Sequence, residues 1–364
     1  MLPTLWTYLA RQFLVSVAIV LGLLVVVMLT IEVIEHLRRA GDRPEVTIGL
    51  ILQMSIIKLP AVIQKLWPFV FLFGSMLSLT RLANSSELVI ARAAGVSVWQ
   101  ILTPFLVAAG LIGGLLVTVF NPISAAMGSR YEQLQNTYFK GQTSLISVSV
   151  RTGLWLREVN ENGHQVLHAN GVSDSGRELS DVTVFRYGVN DVFAERIDAK
   201  KAVLGDGSWT LSGARVTNAN GPAGTRDRLV LPTALTFSEI VDSLAAPETL
   251  SFWELPHFIE LLERSGFSAL AHRIHWNALL ALPLLLTAMV LLAATFCIRL
   301  SRRRGGTGWV FFLGAMSGFV IFFITDLVQT FGAAGRLPIL LAAWTPAAVT
   351  TMCALAAMFH LEDG

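Results

Sequence analysis

Arg38, Arg39 and Arg43 lie close together among the acids Glu32, Glu35, Asp42 and Glu45. Arginine binds phosphate through a planar two-point fork that lysine cannot copy, so this cluster is a candidate anion site, with Lys58 and Lys65 as possible additions. The same residues read equally well as a solvated loop whose charges pair among themselves. A second stretch, Asn84 to Ser97, carries polar ends around Leu88-Val89-Ile90. Asn84 with Glu87 three residues on has the capping-box pattern, which places an acid at the positive end of a helix dipole. Gly95 supplies a left-handed stop, and Ser97 with Gln100 starts the next helix. The spacing predicts a helix of about three turns, too short to be stable alone in water, so it either docks on something or is an ordinary interfacial connector.

Other reactive side chains are sparse. His272 and His275 share a helical face at a spacing metals accept, but two ligands make a weak site, and snorkelling or headgroup contact fits their position better. Asp326 stands near the outer end of an apolar run, where an acid is either functional or already at headgroup depth. Cys297 and Cys353 both lie inside apolar runs, which gives neither a disulfide framework nor a Cys-based zinc site. The chain contains no Gly-x-x-x-x-Gly-Lys-Ser/Thr and no His-Glu-x-x-His, and its spans hold no Ser/His or paired-Asp arrangement. Energy for any transport must then come from a partner, and no cofactor or metal is expected.

The elements that position these groups follow from hydropathy. Of 364 residues, 54% are hydrophobic and 14% charged, which makes this a membrane protein. A formal charge of +2 without a basic, aromatic-interleaved surface argues against a nucleic-acid partner. Bilayer-length apolar runs occur at 13–31, 101–120, 276–298, 305–325 and 337–359. The first is too long for a signal-peptide core and reads as a retained span. A sixth span, about 48–80, is interrupted by Lys58, Pro60, Lys65 and Pro68, so a kink or an interfacial outer half is expected. Gly110 with Gly114, and Gly314 with Gly318, are small-residue faces suited to close helix packing.

Between the third and fourth spans the pattern changes to alternation, as in Val182/Val184, Trp209/Leu211 and Leu229/Leu231. Turn signals stand at Asn162-Gly163, Asn170-Gly171, Asp206-Gly207 and Asn220-Gly221. This predicts an all-β sandwich or roll. It is flanked by 124–140, which extends the third span, and by an amphipathic helix opened by Ser251-x-x-Glu254 with Leu255, Phe258, Ile259 and Leu262, expected on the membrane surface. The predicted organisation is therefore 1–120 (spans one to three), 121–270 (β domain with flanking helices) and 271–364 (spans four to six). Arg11, Arg81, Arg92, Arg299 and Arg302-Arg303-Arg304 on one side, against Arg38, Arg39, Arg43 and Arg336 on the other, place both termini and the Glu87 helix in the cytoplasm.

Ser86-Glu87-Leu88-Val89 through Ala93-Ala94-Gly95-Val96-Ser97, preceded by Pro60 and Pro68, resembles the lipopolysaccharide-export permeases (the YjgP/YjgQ family, LptF and LptG) over most of the chain. Leu37-Arg38-Arg39-Ala40-Gly41 and Gly153-Leu154-Trp155 are more similar to the LptG branch. The resemblance implies an inner-membrane, non-catalytic permease with a periplasmic β-jellyroll, paired with a related LptF-like permease and two copies of a cytoplasmic LptB-like ATPase. It further implies an LptC-like single-span bridge protein and lipopolysaccharide as cargo. Glu87, Leu88, Ala91, Arg92 and Gly95 would then couple to the ATPase, and Arg38, Arg39 and Arg43 would meet the phosphorylated headgroup. Leu24, Val27, Met28 and Ile31 of the first span, with Phe312, Phe322 and Phe323 of the fifth, would line a lipid cavity. Glu32 departs from relatives that carry a basic residue near that depth. Either Glu32 and Glu35 pair with the arginines, or the headgroup sits higher.

The reading is a permease subunit of an ATP-driven exporter that extracts lipopolysaccharide and passes it to a periplasmic bridge. Its first rival is a mechanotransmission permease that moves a periplasmic domain without passing lipid. Its second is a membrane enzyme using Asp326 or His272 and His275, which lacks a convergent nucleophile and base.

Overall fold

A computed structural model describes residues 2–41, 46–135, 138–139, 144–149, 153–160, 163–172, 178–188, 192–205, 207–218, 221–233, 246–264, 268–301 and 307–362. The expectations for Arg43 and for Arg302-Arg303-Arg304 lie outside these residues. The chain forms two compact units. One comprises 1–131, 251–253 and 270–364, and the other comprises 132–250 and 254–269.

The first unit is a helix bundle. Its helices are α1 (Leu2–Ala40), α2 (Ile48–Asn84), α3 (Glu87–Ala93), α4 (Val98–Leu115), a π turn (Leu116–Phe120) and α5 (Asn121–Gln135). After the second unit come α7 (Leu270–Ser301), α8 (Thr307–Ala333) and α9 (Ile339–Glu362). Among the described residues six segments are long and apolar enough to cross a membrane: 4–40, 48–84, 98–135, 270–297, 308–333 and 339–360. The six-span expectation holds, and the third span continues past residue 120 through α5 to Gln135. Pro60 and Pro68 lie inside α2, which nonetheless remains one helix of 37 residues. Among the described residues α7 is the central helix, packed on α2, α4, α8 and α9. The core joins Phe13 of α1, Phe71 and Leu72 of α2, Phe105 of α4 and Leu286 and Val290 of α7.

Three glycine contacts set how closely the spans approach. A methyl on Gly318 of α8 would stand 2.7 Å from the Leu72 side chain, and one on Gly314 would collide with Met76. The predicted Gly314/Gly318 face thus packs on α2 within this chain. On α4, Gly113 rather than Gly114 makes the tight approach, 2.7 Å from Pro283 of α7, while a methyl on Gly114 would meet nothing within 4 Å. The π turn has a local cause. Pro122 has no N–H to give the carbonyl of Thr118, four residues back. The Trp253 indole N–H donates to that carbonyl instead at 3.2 Å, and the Phe252 N–H donates to Asn121 Oδ1 at 2.7 Å.

Among the described residues the second unit is an antiparallel sheet of seven strands, β1 (Ser144–Ser149), β2 (Gly153–Asn160), β3 (Gly163–Val172), β4 (Glu178–Tyr187), β5 (Phe193–Gly205), β6 (Ser208–Asn218) and β7 (Gly221–Pro232), with α6 (Leu255–Arg264) following. Each strand pairs with its neighbour in sequence, which makes a meander. The sheet is rolled. At about 4.8 Å per strand β3 and β7 would lie about 19 Å apart if the sheet were flat. Yet Gln165 of β3 donates to the Pro232 carbonyl at 3.3 Å, and Thr233, just past β7, donates to Glu158 of β2 at 2.9 Å. The roll encloses the alternating set predicted from sequence, including Val182, Val184, Trp209, Leu211 and Leu231. Asn170-Gly171 is not a turn. It lies within β3, and the facing strand takes up the irregularity at Asp181, whose φ is +51°. On the outer face, burial pushes the Asp198 carboxyl up, but hydrogen bonds from Arg196 and Thr183 outweigh it and hold the group below its usual range. On α6, Leu255, Ile259 and Leu262 form a buried stripe.

Replacing Gly318 by leucine is expected to overpack the α2–α8 contact and destabilise the chain by about 1–3 kcal/mol. The check is a lower unfolding temperature of the purified protein in detergent, with Gly114→Ala unchanged.

Candidate functional site

The helix predicted over 84–97 is shorter than expected. Asn84 belongs to α2, α3 covers Glu87–Ala93, and the residue before it, Ser86, has φ +60° and makes no side-chain cap. The Asn84/Glu87 capping box therefore does not form. Glu87 Oε2 instead accepts the Tyr8 hydroxyl of α1 at 3.0 Å. A left-handed serine costs roughly 1–2 kcal/mol, so a tertiary contact has overridden the local signal. The other end behaves as read. Gly95 has φ +85°, and Ser97 and Gln100 complete a reciprocal capping box at the start of α4.

No residue of α3 is buried. Leu88 and Ala91 pack on the bundle core, beside a small groove shared with Leu5, Tyr8, Leu9, Leu82 and Ile101. Val89 and Ile90 are 60% and 66% exposed, and Arg92 and Gly95 are also exposed. Of the residues singled out from sequence, Leu88 and Ala91 therefore hold the helix in place rather than forming its outer face. The outward apolar pair Val89/Ile90 was missed. Its signal was a continuous apolar run too long for a one-sided stripe on so short a helix.

At the other end of α1, Arg38 donates through Nε and Nη2 to the two oxygens of Glu35 at 3.0 and 2.9 Å, and Arg39 Nε donates to the same carboxylate at 2.8 Å. The self-paired reading is thus realised, with two guanidinium groups sharing one acid. Glu32 does not join them. It is 9% exposed and accepts Lys58 Nζ of α2 at 2.7 Å. Lys58 is consequently engaged in an ion pair. Its ammonium also lies 5.5 Å from the Tyr131 ring centroid.

His36, fully covered, completes this network. Nδ1 lies 2.7 Å from the Glu32 carbonyl and 3.1 Å from Ser55 Oγ, and Nε2 lies 3.1 Å from the Tyr131 hydroxyl. A carbonyl only accepts, so Nδ1 carries a proton. The network ties α1 to α2 and to α5. Sequence reasoning did not find His36, Ser55 or Tyr131, because each is unremarkable until the helices pack.

Between these two attachments α1 is poorly covered, and no side chain from 18 to 31 is buried. Val27 and Ile31 are exposed, while Leu24 and Met28 are half-buried. On α8 the buried positions are Val310, Gly314, Gly318 and Gly332, a single narrow stripe. Phe312 and Phe323 point away from the bundle, and Phe322 is 5.5 Å, ring to ring, from Phe69. Helix α1 packs on α2 and α4, and α8 on α2, α7 and α9. The first and fifth spans thus each leave a broad apolar face open. Asp326 is exposed on α8. The described residues contain no cluster of three His, Cys, Asp or Glu that would hold a metal.

The ion pair gives a test. Lys58→Met leaves Glu32 covered without its cation, which is expected to cost on the order of 3 kcal/mol, whereas Lys58→Met with Glu32→Met should recover most of it. Thermal unfolding of the purified chain in detergent reads both.

The family model described as "Lipopolysaccharide export system permease LptF/LptG" matches residues 7–360. The chain is 23% identical over 358 residues to the lipopolysaccharide export system permease protein LptG of Haemophilus influenzae, covering 95% of each chain. It is also 23% identical over 301 residues to the protein of that name from Escherichia coli K12, covering 79% of each.

Proposed function

The chain belongs to the LptF/LptG family of lipopolysaccharide export permeases, and on that premise we propose that it is the LptG-type permease subunit of an ATP-driven lipopolysaccharide exporter in the inner membrane. The observation that carries this reading is the form of α1. It is one continuous helix with an open apolar flank along its middle and two arginines at one end, while the other end is bonded to a short helix with an exposed apolar face.

Lipid extraction sets the energetic requirement. Exposing acyl chains to water costs about 0.8 kcal/mol per CH₂, so the chains must stay covered while work is done from outside. The open flanks of α1 and α8 serve as two walls of a lipid cavity, with Val27, Ile31, Phe312 and Phe323 on the cavity side and Leu24, Met28 and Phe322 at its back. A paired, related permease supplies the remaining walls. Arg38 and Arg39 bind the phosphorylated headgroup at the rim, with Arg43 beyond them. Because Glu35 occupies the Arg38 fork, phosphate has to displace or share that carboxylate, which makes loading an exchange of anions rather than addition to free cations. Glu32 does not oppose loading, because Lys58 neutralises it.

The chain carries no nucleotide-binding motif, so hydrolysis belongs to two copies of a cytoplasmic ATPase, and α3 is the part that seats in it. Its outer face, Val89, Ile90 and Arg92, makes the contact, with Glu87 at its edge and Gly95 fixing the exit. Both termini and α3 then lie in the cytoplasm and the β domain in the periplasm, where its roll passes lipid to a bridge protein.

Two experiments test this reading. Lipopolysaccharide photo-crosslinking from a probe at Ile31, in the complex copurified from membranes, is expected in the wild type and should fall several-fold when Arg38 and Arg39 are both replaced by glutamate. Unchanged crosslinking would overturn the headgroup assignment. Ile90→Asp is expected to lower the amount of copurifying ATPase at least fivefold, whereas equal recovery would remove α3 from the docking surface.

A further inference from the structure

We propose that Tyr8 is the positioning residue through which α3 moves α1, an inference that rests on α3 being the docking element for the ATPase. Three observations converge on it. Glu87 is the first residue of α3, and its carboxylate accepts the Tyr8 hydroxyl across 79 residues of sequence rather than capping its own helix. The chain tolerates Ser86 in a left-handed conformation without a compensating cap, so the local geometry is arranged for this contact. Tyr8 then sits on the same uninterrupted helix as Glu35, Arg38 and Arg39. At 1.5 Å per residue, Tyr8 and Arg38 are about 45 Å apart along one rod.

The packing of α1 suits transmission. Near Tyr8 it is held by Leu9, Phe13, Ser16 and Val17, all buried, and near the arginines by Glu32, His36 and Ala40. The intervening 18–31 has no buried side chain to resist a tilt or a shift along the axis. Because no residue of α3 is fully buried and only Leu88 and Ala91 pack at the edge of the core, a docked partner can displace it while disturbing few apolar contacts. Leu88 and Ala91 provide non-directional contact with the bundle, whereas the Tyr8–Glu87 bond is directional and charge-assisted, so it fixes which part of α1 follows α3. A pull on α3 therefore reaches the headgroup end through α1.

The test uses the assembled permease–ATPase complex in lipopolysaccharide-containing vesicles, measuring copurifying ATPase, ATP hydrolysis and lipopolysaccharide moved per ATP. Tyr8→Phe removes only the hydroxyl. Assembly and hydrolysis should stay within about twofold of wild type while lipid moved per ATP falls at least fivefold. Tyr8→Lys replaces the ring but keeps a donor of similar reach, and should restore most of the yield per ATP. If Tyr8→Phe does not assemble, Tyr8→Lys decides. Yield near wild type supports the link, and a loss of fivefold or more overturns it. Full yield in an assembled Tyr8→Phe complex also overturns it. Absence of lipid movement in the wild-type complex would instead refute the transport reading itself.

Discussion

The hydrocarbon of a bilayer offers no hydrogen bonds, so each polar group carried through it has to find a partner within the protein. Much of the bundle follows from that single constraint. It makes the spans helical, and it determines what happens where a helix cannot satisfy itself. At Pro122 a backbone donor is missing, the helix opens into a π turn, and the Trp253 indole takes the freed Thr118 carbonyl. At Glu32 a carboxylate enters the bundle and is met by Lys58, and the neighbouring His36 imidazole is held by a carbonyl and two hydroxyls. These polar ties join helices where apolar packing is sparse, and they fix the end of α1 that carries the arginines.

The same constraint separates the two ends of α1 in kind. Toward Tyr8 the helix is secured by close apolar packing on α2 and α4, and a methyl on Gly74 would stand 2.8 Å from the Val17 side chain. Toward Arg38 it is secured by ion pairs and hydrogen bonds. Between them an apolar flank faces away from the bundle, as does that of α8. A flank of this kind is cheap in lipid, where it displaces nothing polar, and it is the surface on which an acyl chain or another helix can lie. The β domain obeys the opposite rule. Its solvent is water, so it hides its apolar alternation inside a roll and bonds β2 and β3 to the end of β7.

Features legible in the sequence were those whose cause is local. The apolar runs that mark the six spans, the β alternation, the Gly95 stop and the Ser97–Gln100 box each depend on residues near one another in sequence, and each appears in the fold. Asn84 and Glu87 show the limit. Their spacing satisfies a capping rule, but Tyr8 lies within reach of Glu87 only after α1 packs beside α3, and a charge-assisted bond prevails over a cap. Asn170-Gly171 fails for a similar reason, since the pairing of Gly171 and Val172 with β4 carries β3 on past it.

Composition and period alone determined six apolar spans and a β insert, because hydrophobic length and alternation are properties of the chain before it folds, and its motifs carried the family resemblance. Which charges are free was decided only by the tertiary structure. The sequence offered five cations around the junction of the first two spans and could not assign their counter-ions, since an ion pair depends on distances between helices. Folding gave Lys58 to Glu32 and shared Glu35 between Arg38 and Arg39. It likewise turned Leu88 and Ala91 inward and left Val89 and Ile90 outside, a choice that so short a helix leaves to its neighbours.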